Sequence, residues 1–305
     1  MVNKNVYYFI RSGDPNPIML FVKVFVFLTG YLIIQLINAE CALAWGPGVH
    51  TALALSSLGS ANLLLPSIAQ VITSFPIEYM YGCLSADFFI GKGKKKYKKN
   101  PHAWGGGFKF LREAKDDRET AYALGFLSHL AADVIAHNFF IPNLLSAYPG
   151  RGKMGHLFWE IRADYLIGSP YTRIARGVLD MDHQICDDLL KLIGGKRKSG
   201  FKAGKGFFAQ TVKFSDRIYT TRDLFFETRV VRWRHFHGYL ALMLDLSRSL
   251  ANDFLKHPET SVCLLHDPMG TRNLLLAKKK QAFPRFYRNP RPVRRFDVDE
   301  NLLYL

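Results

Sequence analysis

A chain of 305 residues that is 49% hydrophobic and 22% charged is too apolar for a disordered polycation. It is long enough to bury a full core in one domain or two. Its 41 Lys and Arg against 25 Asp and Glu leave a formal charge of +16, which points to an anionic substrate or surface: a phosphate ester, a nucleic acid or an acidic membrane.

The first element is an apolar run from Pro17 to Ala39, densest between Val24 and Ile37, with Lys4, Arg11 and Lys23 on its positive flank. Ala42-Leu43-Ala44 follows as a small-x-small cleavage pattern. Residues 1–44 are therefore expected to be a signal peptide cut before Trp45, with a retained membrane anchor as the alternative. Export to the periplasm or the outside is the localisation this implies. The chain after Trp45 holds Cys83, Cys186 and Cys263 and no Cys-x-x-Cys pair. At most one disulfide can form, a thiolate zinc site is not expected, and the thiols read as core filling.

Apolar residues at three- and four-residue spacing predict helices over 51–65, 116–140, 153–167, 171–193, 208–226 and 233–255. Pro142, Pro149 and Pro170 punctuate them. No run of alternating strands is visible. The expected fold is all-α, a compact multi-helix bundle over 45–277 followed by a basic tail at 278–305. Three segments are strongly basic. Lys92 to Lys99 contains Lys94, Lys95, Lys96, Lys98 and Lys99; 194–206 reads as a Gly/Lys-rich loop, and 278–295 has no helical period.

The chemistry lies with the histidines. His129, Asp133 and His137 stand at i, i+4 and i+8, drifting only about 80° around a helix axis, so all three project from one face. The rest of that face is Leu, Ala and Ile, where bare imidazoles and a carboxylate are costly to bury. His156 and Glu160 repeat the i, i+4 step on the next helix beside Leu157, Phe158 and Trp159. Imidazole and carboxylate at helical spacing are how helical bundles hold divalent metals. Asp87, inside the apolar stretch GCLSADFF, and His102 are further candidate ligands. His183, His235, His237, His257 and His266 show no such pair on a clear apolar face and are given no role.

This order, Trp45, His50, Asp87, His102, His129-x3-Asp133, His137, His156-x3-Glu160, resembles the zinc-dependent phospholipase C family, which shares its helical fold with S1/P1-type nucleases. The segments GFLSHLAAD at 125–133 and GHLFWE at 155–160 carry most of it. The resemblance implies up to three zinc ions. Asp87, His102, His129 and Asp133 would hold one. Trp45, through its amine and carbonyl, would hold a second with His50 and a bridging Asp133. His137, His156 and Glu160 would hold the third. A hydroxide held by the paired ions would attack phosphorus, and Asp87 is also the implied general base. The four-residue step from Asp133 to His137 is short for the family and would bring His137 close to the first site.

The function this implies is an exported zinc-dependent phosphodiester hydrolase of phospholipase C type acting on phospholipid head groups. Lys94, Lys95, Lys96, Lys98 and Lys99 would steer anionic membranes towards the metals. The alternatives are a nuclease on the same scaffold, for which nucleic acid is the substrate, and a non-catalytic anchored protein whose metals staple the fold. No protein partner is inferred from the sequence.

Overall fold

The computed structural model describes residues 45–88, 101–148, 154–194, 198–220, 236–281 and 295–305. The leader at 1–44, the lysine run 92–99 and most of the basic stretch 278–295 lie outside them. Among the described residues every regular element is helical, as the periodicity predicts.

The architecture is organised around one buried rod. Helix α5 runs from Asp117 to Ile135. Asp116 starts it by accepting from the Glu119 amide at 2.8 Å, while the Glu119 carboxylate accepts from the Lys115 amide at 2.6 Å, a reciprocal capping arrangement. Asp117 and Glu119 also complement the helix dipole in the first turn. From Ala121 to Ile135 all but complete burial prevails, because Ala and Leu cover every face rather than one stripe. A membrane-spanning helix would pass the same length and hydropathy test, but 94% of this one's apolar window is packed inside the protein.

Around it lie α1 (Pro47–Gly59), α2 (Pro66–Ser74), α3 (Pro76–Ser85) and α4 (Trp104–Glu113). Helices α7 (Met154–Ile167), α8 (Ser169–Leu179), α9 (Gln184–Gly194), α10 (Lys198–Thr220) and α11 (Phe236–Lys256) complete the body. Helices α3 and α5 touch backbone to backbone. A Cβ on Gly82 would stand 2.1 Å from the Tyr122 carbonyl, and one on Gly125 would stand 2.0 Å from the Tyr79 carbonyl. Only glycine permits that approach.

The rod does not end where Pro142 suggested. After Ile135 it widens into a π-helical turn, Ala136–Phe140, and continues as α6 (Ile141–Ala147). Pro142 has no N–H to give the Asn138 carbonyl; Asn273 Nδ2 donates to that oxygen instead, at 2.9 Å. The predicted helix over 171–193 is broken at 180–183 into α8 and α9, and Gly168, at φ 103°, turns the chain between α7 and α8. The Gly/Lys-rich segment expected as a loop is a correction: from Lys198 it forms the start of α10. Phe208 and Val212 on that helix are buried, so packing overrides the weak helix propensity of its glycines.

Past α11, α12 (Thr271–Gln281) and α13 (Glu300–Leu303) close the chain. Phe296 and Leu302 are buried in the same core, and Phe296 exchanges backbone hydrogen bonds with the Asn143 side chain, both at 2.9 Å. The end of the chain therefore packs on the body. The three thiols Cys83, Cys186 and Cys263 are free and buried, in line with core filling.

Candidate metal centre

Five elements deliver the polar groups. His50 sits in the first turn of α1, Asp87 on a 3-10 turn (Ala86–Phe88) just past α3, and His102 in the turn before α4. His129 and Asp133 come from α5, and His137 from the π turn. All are buried.

They converge on one carboxylate. Asp133 Oδ2 lies 2.8 Å from His102 Nε2, 3.2 Å from His129 Nε2 and 3.6 Å from His137 Nε2. Asp133 Oδ1 faces His50 Nε2 at 3.3 Å without hydrogen-bond geometry. The His50 and His129 rings stack at 3.7 Å, and His129 Nε2 lies 3.7 Å from Asp87 Oδ1. Among the described residues, donor atoms within 4.8 Å of one another form two triads, His50/Asp87/His129 and His102/His129/Asp133.

The close contact of α3 with α5 orients the shared histidine. It brings the Cys83 carbonyl to 2.7 Å from His129 Nδ1, which donates there. In the neutral ring Nε2 then carries a lone pair, and it points at a carboxylate 3.2 Å away. Two acceptors facing each other in a buried site repel. A cation between them removes the conflict, and an imidazole fixed through its other nitrogen by a carbonyl is the usual outer support of a metal ligand. Nor can one oxygen with two lone pairs accept from three rings. The donor set therefore fits a divalent metal.

Electrostatics agree. Burial opposes charge on Asp133, but the imidazoles facing it, His129 first and then His102 and His50, outweigh it and hold the carboxyl well below its ordinary range. Burial, reinforced by His129, lowers His50, keeping the ring neutral and able to ligate.

His156 Nε2 stands 3.0 Å from Glu160 Oε1 on α7, and the His137 and His156 rings meet edge-on at 5.6 Å. His137 thus lies between the Asp133 cluster and the α7 pair, as its short spacing predicts. The π turn that carries it is braced by the C-terminal segment. Asn138 Nδ2 donates to the Asp267 carbonyl at 2.8 Å, and Gly270, at φ 52°, abuts the His137 carbonyl so closely that a Cβ would stand 2.2 Å from it. Trp45 enters α1 fully buried, its indole N–H donating to Ser247 Oγ at 3.0 Å and its ring 4.5 Å from Phe140. Lys94, Lys95, Lys96, Lys98 and Lys99 fall outside the described residues.

Sequence reasoning missed Asp164. It is 1% exposed, and its oxygens accept from the Val49 amide at 2.8 Å and the Gly48 amide at 3.0 Å. Burial pushes its carboxyl up to about 7 against the pull of those two amides. The available signal was its place at i+8 from His156 and i+4 from Glu160, the same stripe that identified the α5 residues.

A family model described as zinc dependent phospholipase C matches residues 49–199. No curated protein and no solved structure matches the chain. The matched segment contains His50 and every later histidine and carboxylate of the site, carried on a helical scaffold: the chain belongs to the zinc-dependent phospholipase C family.

Proposed function

We propose that the protein is an exported zinc-dependent phospholipase C, hydrolysing the phosphodiester between diacylglycerol and a phospholipid head group. The observation that carries this reading is the convergence of His50, His102, His129 and His137 on Asp133, with His129 Nε2 turned inward by the Cys83 carbonyl. Family membership supplies the substrate class.

Asp87, His102, His129 and Asp133 would hold one zinc; Trp45, His50 and Asp133 a second; His137, His156 and Glu160 a third. Zinc bound there supplies Lewis acidity towards phosphoryl oxygens and lowers the pKa of water. The residues themselves do the rest. Asp133 would serve both His50 of α1 and His102 of the turn before α4, the stacked His50 and His129 rings would wall one side, and Asp87, 5% exposed, would take a proton from water. Export would complete the second site, because a cut between Ala44 and Trp45 would free the amine that ligates there. The +16 charge and the lysines at 94–99 favour an anionic bilayer.

The test uses protein exported by its own leader, with intact mass, N-terminal sequence and zinc content read on one sample. It is then assayed on vesicles containing phosphatidylcholine and phosphatidylglycerol, and on single-stranded nucleic acid. A chain beginning at Trp45, with two or three zinc ions and chelator-sensitive diacylglycerol release, is the expected result. Nucleotide release without diacylglycerol replaces the lipid substrate with nucleic acid; a zinc-free chain still carrying its leader sinks the reading.

A further inference from the structure

The ligands on α5 are held by a buried rod, but His50 is held by a helix that enters the body from its own N-terminus. Helix α1 begins at Pro47, and its preceding residue, Gly46, has no side chain to cap it. The first amides of a helix need acceptors, and here they find one across the body. Asp164, two turns beyond His156 on α7, gives one oxygen to the Val49 amide at 2.8 Å and the other to the Gly48 amide at 3.0 Å. The next residue is His50. Its own amide donates to the Gly46 carbonyl at 3.1 Å, so Trp45, Gly46 and His50 form one turn seated on that carboxylate.

The seat has no slack. A Cβ on Gly46 would stand 2.4 to 2.6 Å from the three carboxylate atoms of Asp164, and one on Gly48 would stand 3.0 Å from Thr172 Oγ1 and 3.2 Å from Asp164. A bidentate grip on two successive amides fixes both the axial position and the rotation of a helix start. His50 needs both. Its ring must stack on His129 at 3.7 Å while Nε2 meets Asp133 Oδ1 at 3.3 Å; one residue of slip along α1 moves it by about 1.5 Å and turns it by roughly 100°.

We infer that Asp164 is a positioning residue for the metal centre: it locks the start of α1 against α7, so that Trp45 and His50 are aligned with Asp133 and one stripe of α7 serves both ends of the site. This rests on the zinc reading above and adds a residue that touches neither metal nor substrate. It also explains two glycines. Gly46 and Gly48 stand where the carboxylate needs the backbone bare.

The test measures metal directly. The full chain is prepared as wild type, Asp164→Asn, Gly46→Ala and Thr172→Val. Zinc content, zinc affinity by competition with a chromogenic chelator, and the visible spectrum of the cobalt-substituted protein are read well below each melting temperature. Asn can accept from only one of the two amides, and the alanine Cβ pushes the carboxylate aside without removing it. Both variants are expected to bind their weakest zinc about tenfold or more less tightly, the loss typical of an outer support, and to show altered cobalt bands, while the tightest zinc is retained. Thr172→Val, which alters the same seat without removing a hydrogen bond to α1, keeps the wild-type affinity and spectrum. If Asp164→Asn and Gly46→Ala lower only the melting temperature, or either folds with wild-type affinity and spectrum, the inference is overturned. A wild type that binds zinc yet releases no diacylglycerol sinks the phospholipase reading alone.

Discussion

Two polar clusters are buried in this helical body, and they solve the same problem in opposite ways. Beside Tyr81 on α3, the Tyr81 hydroxyl donates to Asp187, Lys205 donates to the other oxygen at 2.7 Å, and the His183 ring stacks on Tyr81 at 3.6 Å. His183 Nε2 donates to the Val178 carbonyl at 2.6 Å, and Lys205 lies 5.0 Å from the Tyr81 ring centre. Each donor has an acceptor and the carboxylate has its cation. The Asp133 cluster also sets histidine against aspartate, yet there four imidazoles aim their ring nitrogens at one carboxylate with no lysine beside it among the described residues. Buried polarity completed by protein reads as architecture; buried polarity that needs a cation reads as chemistry.

The sharpest way to break this contrast is Asp133→Asn. It keeps the shape, removes the charge and takes away the group common to the proposed paired zinc sites. Hydrolysis is expected to fall by about 10³-fold or more, since a metal supplies several kcal/mol to a phosphoryl transition state, with zinc content falling in step. In chelator the variant should also melt below the metal-free wild type, because the imidazoles around Asp133 favour its ionised form in the fold over the unfolded chain. A metal-free variant that melts at or above it would show that the imidazoles do not offset the burial of that charge.

The companion change, Lys205→Met, attacks the other cluster. It strips the cation from Asp187 while keeping the aliphatic stem over Tyr81. Removing one partner from a largely buried pair is expected to cost about 1–3 kcal/mol, seen as a lower denaturant midpoint at unchanged slope. Zinc content and activity per folded molecule should be untouched. If zinc falls as well, the two clusters are coupled through α3, which two residues past Tyr81 carries the Cys83 carbonyl that supports His129.

How far the sequence announces each cluster differs for physical reasons. The stripe His129, Asp133, His137 is visible because polar groups on an apolar helical face break a period, and the structure gathers all three. Helices α2 and α3 were missed, although Pro66 and Pro76 stand at their first positions and proline there is a start signal. The π turn leaves no periodic trace; only Pro142 hints that the Asn138 carbonyl must look elsewhere. Gly82 and Gly125 read as propensity defects, since hydropathy carries nothing about backbone contact. Asp164 was passed over because a single carboxylate between Ala163 and Tyr165 looks like a surface residue; its partners, Gly48 and Val49, are over a hundred residues away and offer only backbone amides. His183 has Asp187 at i+4 but no clear apolar face to mark the pair, and its closest partners are a ring from α3 and a carbonyl from α8.

That histidine supplies the mildest test. Burial lowers the His183 pKa from its ordinary value of 6.5, and Lys205 adds to the shift although the Val178 carbonyl opposes it. The unfolded chain therefore takes up the proton more readily than the folded one. The stabilisation is present above pH 6.5 and drains away as the pH falls through that value and below. His183→Gln keeps a donor for the Val178 carbonyl and removes the titration. Melting temperatures of wild type and variant, followed from about pH 7.5 to 5, should converge as the medium acidifies, the zinc ligands being common to both. Parallel curves would mean that the folded protein takes up the His183 proton as readily as the unfolded chain, Asp187 accommodating it. This cluster would then be indifferent to pH, leaving acid sensitivity to the metal centre alone.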